Sequence, residues 1–215
     1  MVQKEKSRRG RPRAYDPERA LAQATSAFWD AGYSATSLDD LSAATGMNRP
    51  SLYGAFGDKR ALYLKTIEGY RAMAQAAMRQ SLPYDGALRE ALTELYDRAI
   101  SLYLSGEHGA RGCLLTSTAA TEAVMDPEIR RAARAALEEI DAAFEARMRH
   151  GREHGDLPRS ADPAMLGKLA SAILHTLSIR ARTGAPRAML EEIAASGVNL
   201  ICGAGKPAKR KAAAR

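Results

Sequence analysis

The chain has 215 residues, 46% of them hydrophobic and 27% charged, with a formal net charge of +7. That apolar content suffices for one large helical domain or a small domain attached to a larger one. No apolar run approaches the roughly 18 residues a membrane span needs, and the basic N-terminus lacks the apolar stretch of a secretory signal, so cytoplasmic residence without membrane contact is expected.

Two cysteines, Cys113 and Cys202, lie far apart and match no metal spacing, which argues against a disulfide framework. The charge is gathered at the two ends. Residues 1–14 carry Lys4, Lys6, Arg8, Arg9, Arg11 and Arg13 against Glu5. Residues 203–215 carry Lys206, Lys209, Arg210, Lys211 and Arg215. Each end is therefore +5, and the 188 residues between them total −3. Basic segments of this kind are typical of arms that meet polyanions, and a solubilising role is the plainer alternative.

In chain order, Asp16-Pro17-Glu18 supplies a cap, a first-turn proline and an acid for a first helix. Leu21, Ala24 and Phe28 give that helix an inward stripe with Trp29 alongside, and Gly32 stops it. Ser37 and Asp40 form a capping box for a second helix, whose Leu38 and Leu41 face inward and which ends at Gly46. Asn48 caps a third, with Leu52 and Phe56 on its buried face. A fourth runs from Lys59 to about Leu82, and Pro83-Tyr84-Asp85-Gly86 makes a turn. Leu88, Leu92, Leu95, Ala99 and Leu102 mark the next helix. A loop follows over residues 106–112, then a short helix from Cys113 to Met125. Asp126-Pro127-Glu128 opens a long helix to about Gly151, Asp162-Pro163 opens another to about Thr183, and Pro186 opens the last, which stops near Gly203. No segment holds a period of two. The expected fold is all-α with about nine helices.

The second and third helices, joined by a tight Gly46-containing turn, have the layout of a helix-turn-helix whose second helix enters the major groove. With Leu52 and Phe56 buried, Pro50, Ser51 and Gly54 fall outward and Tyr53 sits at the flank, within reach of a phosphate. Two of the three outward residues have no hydrogen-bonding side chain, so direct base reading rests on Arg49, with help from Ser51. Thr36, Ser37, Asn48 and Lys59 are the expected phosphate clamps. Across residues 15–57, Arg19 and Arg49 stand against five acids, a net −3. The arm must then supply much of the counterion-releasing charge, and Arg11 or Arg13 suits an adjacent minor groove.

These residues resemble the N-terminal domain of the TetR family of bacterial transcriptional regulators. The pattern shows in Phe28, Gly32-Tyr33, Thr36, Leu38, Asp40-Leu41, Gly46, Leu52-Tyr53, Phe56, Lys59 and Leu62, over about residues 14–65. The chain departs from the family at Gly54, where a His or similar residue is usual. The resemblance implies a homodimer on a palindromic double-stranded operator, with a small-molecule pocket in the C-terminal domain. It also implies that the last two helices pair with those of the partner. Leu166, Leu169, Ile173 and Leu177, then Leu190, Ile193, Gly197 and Leu200, are compatible with that interface, and equally with monomer core. The implied organisation is a basic arm (1–14), a DNA-binding domain (15–62), a ligand-binding and dimerisation domain (63–203) and a basic tail (204–215).

Arg111-Gly112-Cys113-Leu114-Leu115 is similar to a Gly-Cys-Leu element in the NemR/AcuR-like, electrophile-responsive branch of the family. A Cys113 thiol at a helix N-terminus beside Arg111 would be reactive; the alternative is a small buried hydrophobe. Tyr96, Tyr103, Thr116 and His175 are further pocket candidates, whereas Met73 and Met78 read as core fillers. His150 and His154 are spaced by four, but Gly151 and Gly155 interrupt them and no acidic third ligand is evident, so neither a metal nor another cofactor is expected. No phosphate loop or nucleophile arrangement indicates an enzyme. The expected function is a ligand-responsive, sequence-specific repressor, with a constitutive, sequence-tolerant DNA binder driven by the basic tails as the alternative.

Overall fold

The structure, a computed structural model, describes residues 16–106 and 109–203. Arg11, Arg13 and both basic ends lie outside the described residues. Among those described there are nine α-helices and no strand: α1 (Pro17–Ala31), α2 (Leu38–Thr45), α3 (Arg49–Phe56), α4 (Lys59–Ser81), α5 (Leu88–Tyr103), α6 (Ala120–Glu122), α7 (Pro127–His154), α8 (Pro163–Arg182) and α9 (Arg187–Cys202). None is long and apolar enough to cross a membrane.

The starts follow from local chemistry. Asp16, Asp126 and Asp162 each precede a first-turn proline, and each accepts from the backbone N–H groups two and three residues on. Ser37 and Asp40 form both halves of the capping box, and Asn48 and Asp58 cap α3 and α4. Helix α5 is different. Its N-cap Ala87 has no side-chain acceptor, and the Leu88 N–H donates instead to Asp156 Oδ2 at 3.0 Å, a cap borrowed from the far end of α7.

Three sequence expectations are corrected by packing. Ala20, rather than Leu21, joins Ala24, Phe28 and Trp29 in the buried stripe of α1, and Leu21 is half-buried. Gly151 does not interrupt α7, which continues to His154 and ends at Gly155. A Cβ on Gly151 would lie 3.1 Å from Leu88 Cδ2, so this glycine lets α7 approach the start of α5. The short helix after Cys113 is a π-helical turn, Leu115–Ala119, leading into the three residues of α6. Gly112 sets its entry, with φ +65° and a Cβ position 2.9 Å from the Ser178 carbonyl, a place only glycine fills without strain.

Helix α2 packs on α1 and α3, which both pack on α4, and α4 also runs against α5 and α7. Helices α7, α8, α9 and α5 form the larger body, with α7 against α8 as the most extensive contact. The two parts meet at Trp29. Its indole Nε1 donates to the Gly112 carbonyl at 3.0 Å, its ring stands edge-on to Tyr70 at 4.9 Å, and the Arg111 guanidinium lies over it at 4.1 Å. Arg182, at the end of α8, donates to the carbonyls of Trp29, Asp30 and Arg111 at 2.9–3.1 Å. Arg60 forks onto Asp126 and also meets Glu128, giving a second tie from α4 to α7.

The α7–α8 contact is close because Gly167 faces backbone, where an added Cβ would lie 2.8 Å from Glu145 N. Gly197 instead faces the flexible end of Ile173. Gly167→Ala should therefore cost about 1–3 kcal/mol in urea unfolding, and Gly197→Ala distinctly less because Ile173 can rotate away.

Candidate nucleic-acid interface and internal cavity

The turn between α2 and α3 is made by Gly46 in the left-handed conformation (φ +66°) and anchored by buried Met47. Leu52 and Phe56 are buried as expected. Asn48, Arg49, Pro50, Tyr53, Gly54 and Gly57 form the exposed side of α3. Tyr53 is exposed, while Ser51, expected to point outward, is half-buried with its N–H donated to Asn48 Oδ1 at 2.9 Å. The asparagine side-chain amide keeps its own donors for an external acceptor. Gly54 has nothing within 4 Å of where a Cβ would be. Its lack of a side chain serves no internal contact and leaves the helix backbone bare on the outer face.

The expected phosphate clamps are less available than their residue types suggest. Thr36 is buried and its hydroxyl donates to the Gly32 carbonyl at 2.6 Å, so its side chain closes the loop after α1 and presents no clamp. Ser37 Oγ is exposed but donates to Asp40 Oδ2 at 2.7 Å, and those Ser37 hydrogen bonds hold the Asp40 carboxyl below its ordinary range. Lys59 sits at the start of α4 with Nζ 4.3 Å above the Tyr33 ring, and burial lowers its pKa somewhat. Arg49 is exposed and forks onto Asp39 with Nε–Oδ1 3.0 Å and Nη2–Oδ2 2.7 Å.

Among the described residues, two hollows lie between α4 and the larger body. One, of about 370 Å³ between α4 and α7, is crossed by the Arg71–Glu139 ion pair and by Gln75. The other, of about 200 Å³, lies among α4, α5, α7 and α8 and is mostly apolar. Met78 and Ile140 lie in the wall between them. The second brings together three of the five pocket residues expected from sequence: Tyr103, Cys113 and His175. Tyr96 does not reach it; its hydroxyl donates to the Ala170 carbonyl at 3.0 Å inside the core. Thr116 does not line it either, because its hydroxyl pairs with Ser178 Oγ at 2.8 Å. Met78 is buried in the core, as expected, and also lines the cavity, whereas Met73 lines it but is exposed.

The polar groups of this cavity are few. Tyr70 donates its hydroxyl to Cys113 Sγ at 3.0 Å, and burial pushes the Tyr70 and Tyr103 phenols well above their ordinary range. His175 Nε2 is buried without a hydrogen-bond partner among the described residues, and burial lowers the pKa of its ring despite the opposing charge of Asp141. Arg111 is turned onto Trp29 and does not flank the Cys113 thiol in the way the sequence suggested. Sequence reading missed Tyr70 and Arg182. An aromatic within a long helix and a basic last turn carry no local signal for the contacts they make across the fold.

The outer face of α8 and α9 divides the expected interface residues. Leu177 and Leu190 are fully buried and Gly197 packs against Ile173, so these three belong to the monomer core. Leu166, Leu169, Ile173 and Ile193 are partly buried, and Leu200 is 70% exposed. Exposed Met165, Ile179 and Met189 join them on these two helices. His150 and His154 stack at 3.9 Å, with Tyr84 beside His150.

Comparison with known proteins bears on both parts. Residues 20–66 match the sequence pattern of bacterial regulatory proteins of the tetR family, and residues 85–196 match the tetracyclin repressor-like C-terminal domain. The HTH-type transcriptional repressor ComR of Escherichia coli (strain K12) is 28% identical over 195 residues, 91% of this chain and 93% of that protein. The TetR family transcriptional regulator CifR, solved in complex with 26 bp double-strand operator DNA, is 32% identical with a TM-score of 0.80, over 88% of this chain and 98% of that one. Reduced E. coli NemR superposes with a TM-score of 0.75 over 89% of this chain and 98% of that one, but at 20% identity that likeness shows the fold alone.

The bare Gly54 position separates folding from recognition. Gly54→Ala should stabilise α3 by about 0.5–1 kcal/mol through helix propensity. If the backbone of α3 approaches a duplex closely, the same methyl group should lower DNA affinity. A rise in melting temperature with unchanged DNA affinity would show that the α3 backbone keeps its distance.

Proposed function

We infer that this chain, which belongs to the TetR family of bacterial regulatory proteins, is a repressor that binds a palindromic operator as a homodimer and leaves it when a small molecule fills the 200 Å³ cavity. The observation that carries the reading is the exposed α3 face held on a fully capped helix-turn-helix, with Arg49 and Asn48 at its leading end. The named relatives support it: ComR is an HTH-type transcriptional repressor, and CifR has been solved on operator DNA. Residues 15–62 are the DNA-binding domain and 63–203 the ligand-binding and dimerisation domain. Residues 1–14 and 204–215 are the basic arm and tail. The exposed apolar face of α8 and α9 is the surface offered to the second subunit, which gives the two readers the symmetry of a palindrome.

Base reading falls to Arg49, and phosphate contact to Asn48, Tyr53, Lys59 and helix N-termini, with Pro50 and Ser51 lining the approach. The reader carries little positive charge, so Arg11, Arg13 and their neighbours in the arm supply the long-range attraction. In the effector step, an occupant of the cavity displaces Tyr70, whose ring edge abuts Trp29. Trp29 is tied to Gly112 and Arg182 and closes α1, so its shift tilts the reader and changes the spacing between the two recognition helices.

The cavity favours a compact, neutral, largely apolar molecule with one hydroxyl or carbonyl group to meet His175 Nε2. A second reading is its covalent form: a small electrophile entering the same space meets the Cys113 sulfur.

The DNA reading and the cavity are tested separately. Full-length protein should enrich a two-fold symmetric duplex from a random pool, and deletion of residues 1–13 should flatten the salt dependence on selected and random duplexes alike. Equal binding of both duplexes at every salt concentration would favour the constitutive alternative. For the cavity, the single tryptophan, Trp29, should change its emission on titration with small phenols. His175→Leu should weaken phenol about tenfold relative to toluene, the loss of one buried hydrogen bond. Mass mapping after treatment with iodoacetamide should find Cys113 modified ahead of Cys202, whose thiol burial pushes up, if the covalent reading holds.

A further inference from the structure

Asp39 makes no capping hydrogen bond to its own helix. It is the second residue of α2, yet the capping there is done by Ser37 and Asp40. Both of its carboxylate oxygens accept from Arg49, the first residue of α3, so the pair spans the helix-turn-helix from one helix to the other. The side chains are 75% and 55% exposed, and a surface pair of this kind contributes little to folding. Its effect is on the direction of the guanidinium.

A guanidinium offers two two-pronged edges, one from Nε and Nη2 and one from Nη1 and Nη2. Asp39 occupies the first. On the second, Nη1 makes no hydrogen bond among the described residues and Nη2 keeps its other N–H, and this edge has the spacing that matches guanine O6 and N7 in the major groove. We propose that Asp39 is a specificity-determining positioning residue, which holds the Arg49 fork end-on for guanine and keeps it from closing on phosphate. The proposal rests on the reading of α3 as the recognition helix.

The pair also has an electrostatic consequence. Bound to Asp39, Arg49 presents donors without net charge, and it adds little to attraction for a phosphate backbone. Without Asp39 the same arginine is a flexible cation, suited to any phosphate it can reach. Asp39 therefore trades general affinity for discrimination, which agrees with a reader whose residues 15–57 total −3.

The test uses full-length protein and a duplex it selects from a random pool, rebuilt with 7-deazaguanine at one guanine at a time. This base lacks the N7 acceptor and leaves Watson–Crick pairing intact. Wild-type protein should lose about tenfold in affinity at one guanine in each half-site, within the range of a bidentate contact. Arg49→Ala should abolish that penalty. Asp39→Ala should shrink it to about twofold or less, while affinity for a random duplex rises and its salt slope steepens by about one. Melting temperature should hardly change, and a merely structural residue would not alter sensitivity to a single base atom. The proposal is overturned if Asp39→Ala keeps the full N7 penalty, if the penalty survives Arg49→Ala, or if wild-type protein ignores every substituted guanine. Failure of the wild-type chain to enrich any duplex is a separate result, which removes the repressor reading together with this proposal.

Discussion

The C-terminal end of α1 must be satisfied from outside, and most of the geometry follows from how that is done. The last carbonyls of a helix have no partner within it. Here those of Trp29 and Asp30 accept from Arg182, a residue some 150 positions later at the end of α8. The same guanidinium holds the Arg111 carbonyl, while Trp29 holds the Gly112 carbonyl through its indole N–H. One cation thus closes the end of α1, holds the loop at Arg111 and fixes the small domain on the large one. A positive group at a helix C-terminus also meets the negative end of its dipole.

This junction shares its neighbours with the cavity. Tyr70 lies in the cavity wall and against Trp29, and Cys113, one residue beyond Gly112, accepts the Tyr70 hydroxyl. Gly112 has no room for a side chain because the Ser178 carbonyl of α8 lies against it. A π-helical turn follows at once, and Ser178 Oγ accepts from the Cys113 N–H and pairs with Thr116. The cavity and the end of α1 are thus joined by packed aromatic rings and hydrogen-bonded backbone.

The reader shows a different economy. Its caps use up polar groups that residue type alone would assign to phosphates: Ser37 and Asp40 serve each other, and Thr36 closes the loop after α1. What remains outward is a short helix with one aromatic hydroxyl, one asparagine amide, a bare glycine and an arginine already held by a carboxylate.

Much of the architecture was legible in residue order. Asp-Pro pairs, Gly32, Gly46 and the Ser37–Asp40 box are local signals whose chemistry acts within one turn, and they placed most helix starts and stops and the helix-turn-helix. Where the local rule competed with packing, it failed. Gly151 reads as a stop and is a point of close approach to Leu88; Leu177 and Leu190 read as interface and are core; Tyr96 and Thr116 read as pocket and are spent on hydrogen bonds within the fold. The Asp156 cap of α5, the orphaned His175 Nε2, the Arg182 clamp and the Asp39–Arg49 fork all join residues distant in sequence or on different helices. Spacing along a chain carries helix ends and buried stripes because those depend on neighbours within about four positions. Which polar group is left over for function depends on every partner the folded chain has already provided, and that is known only once the helices are packed.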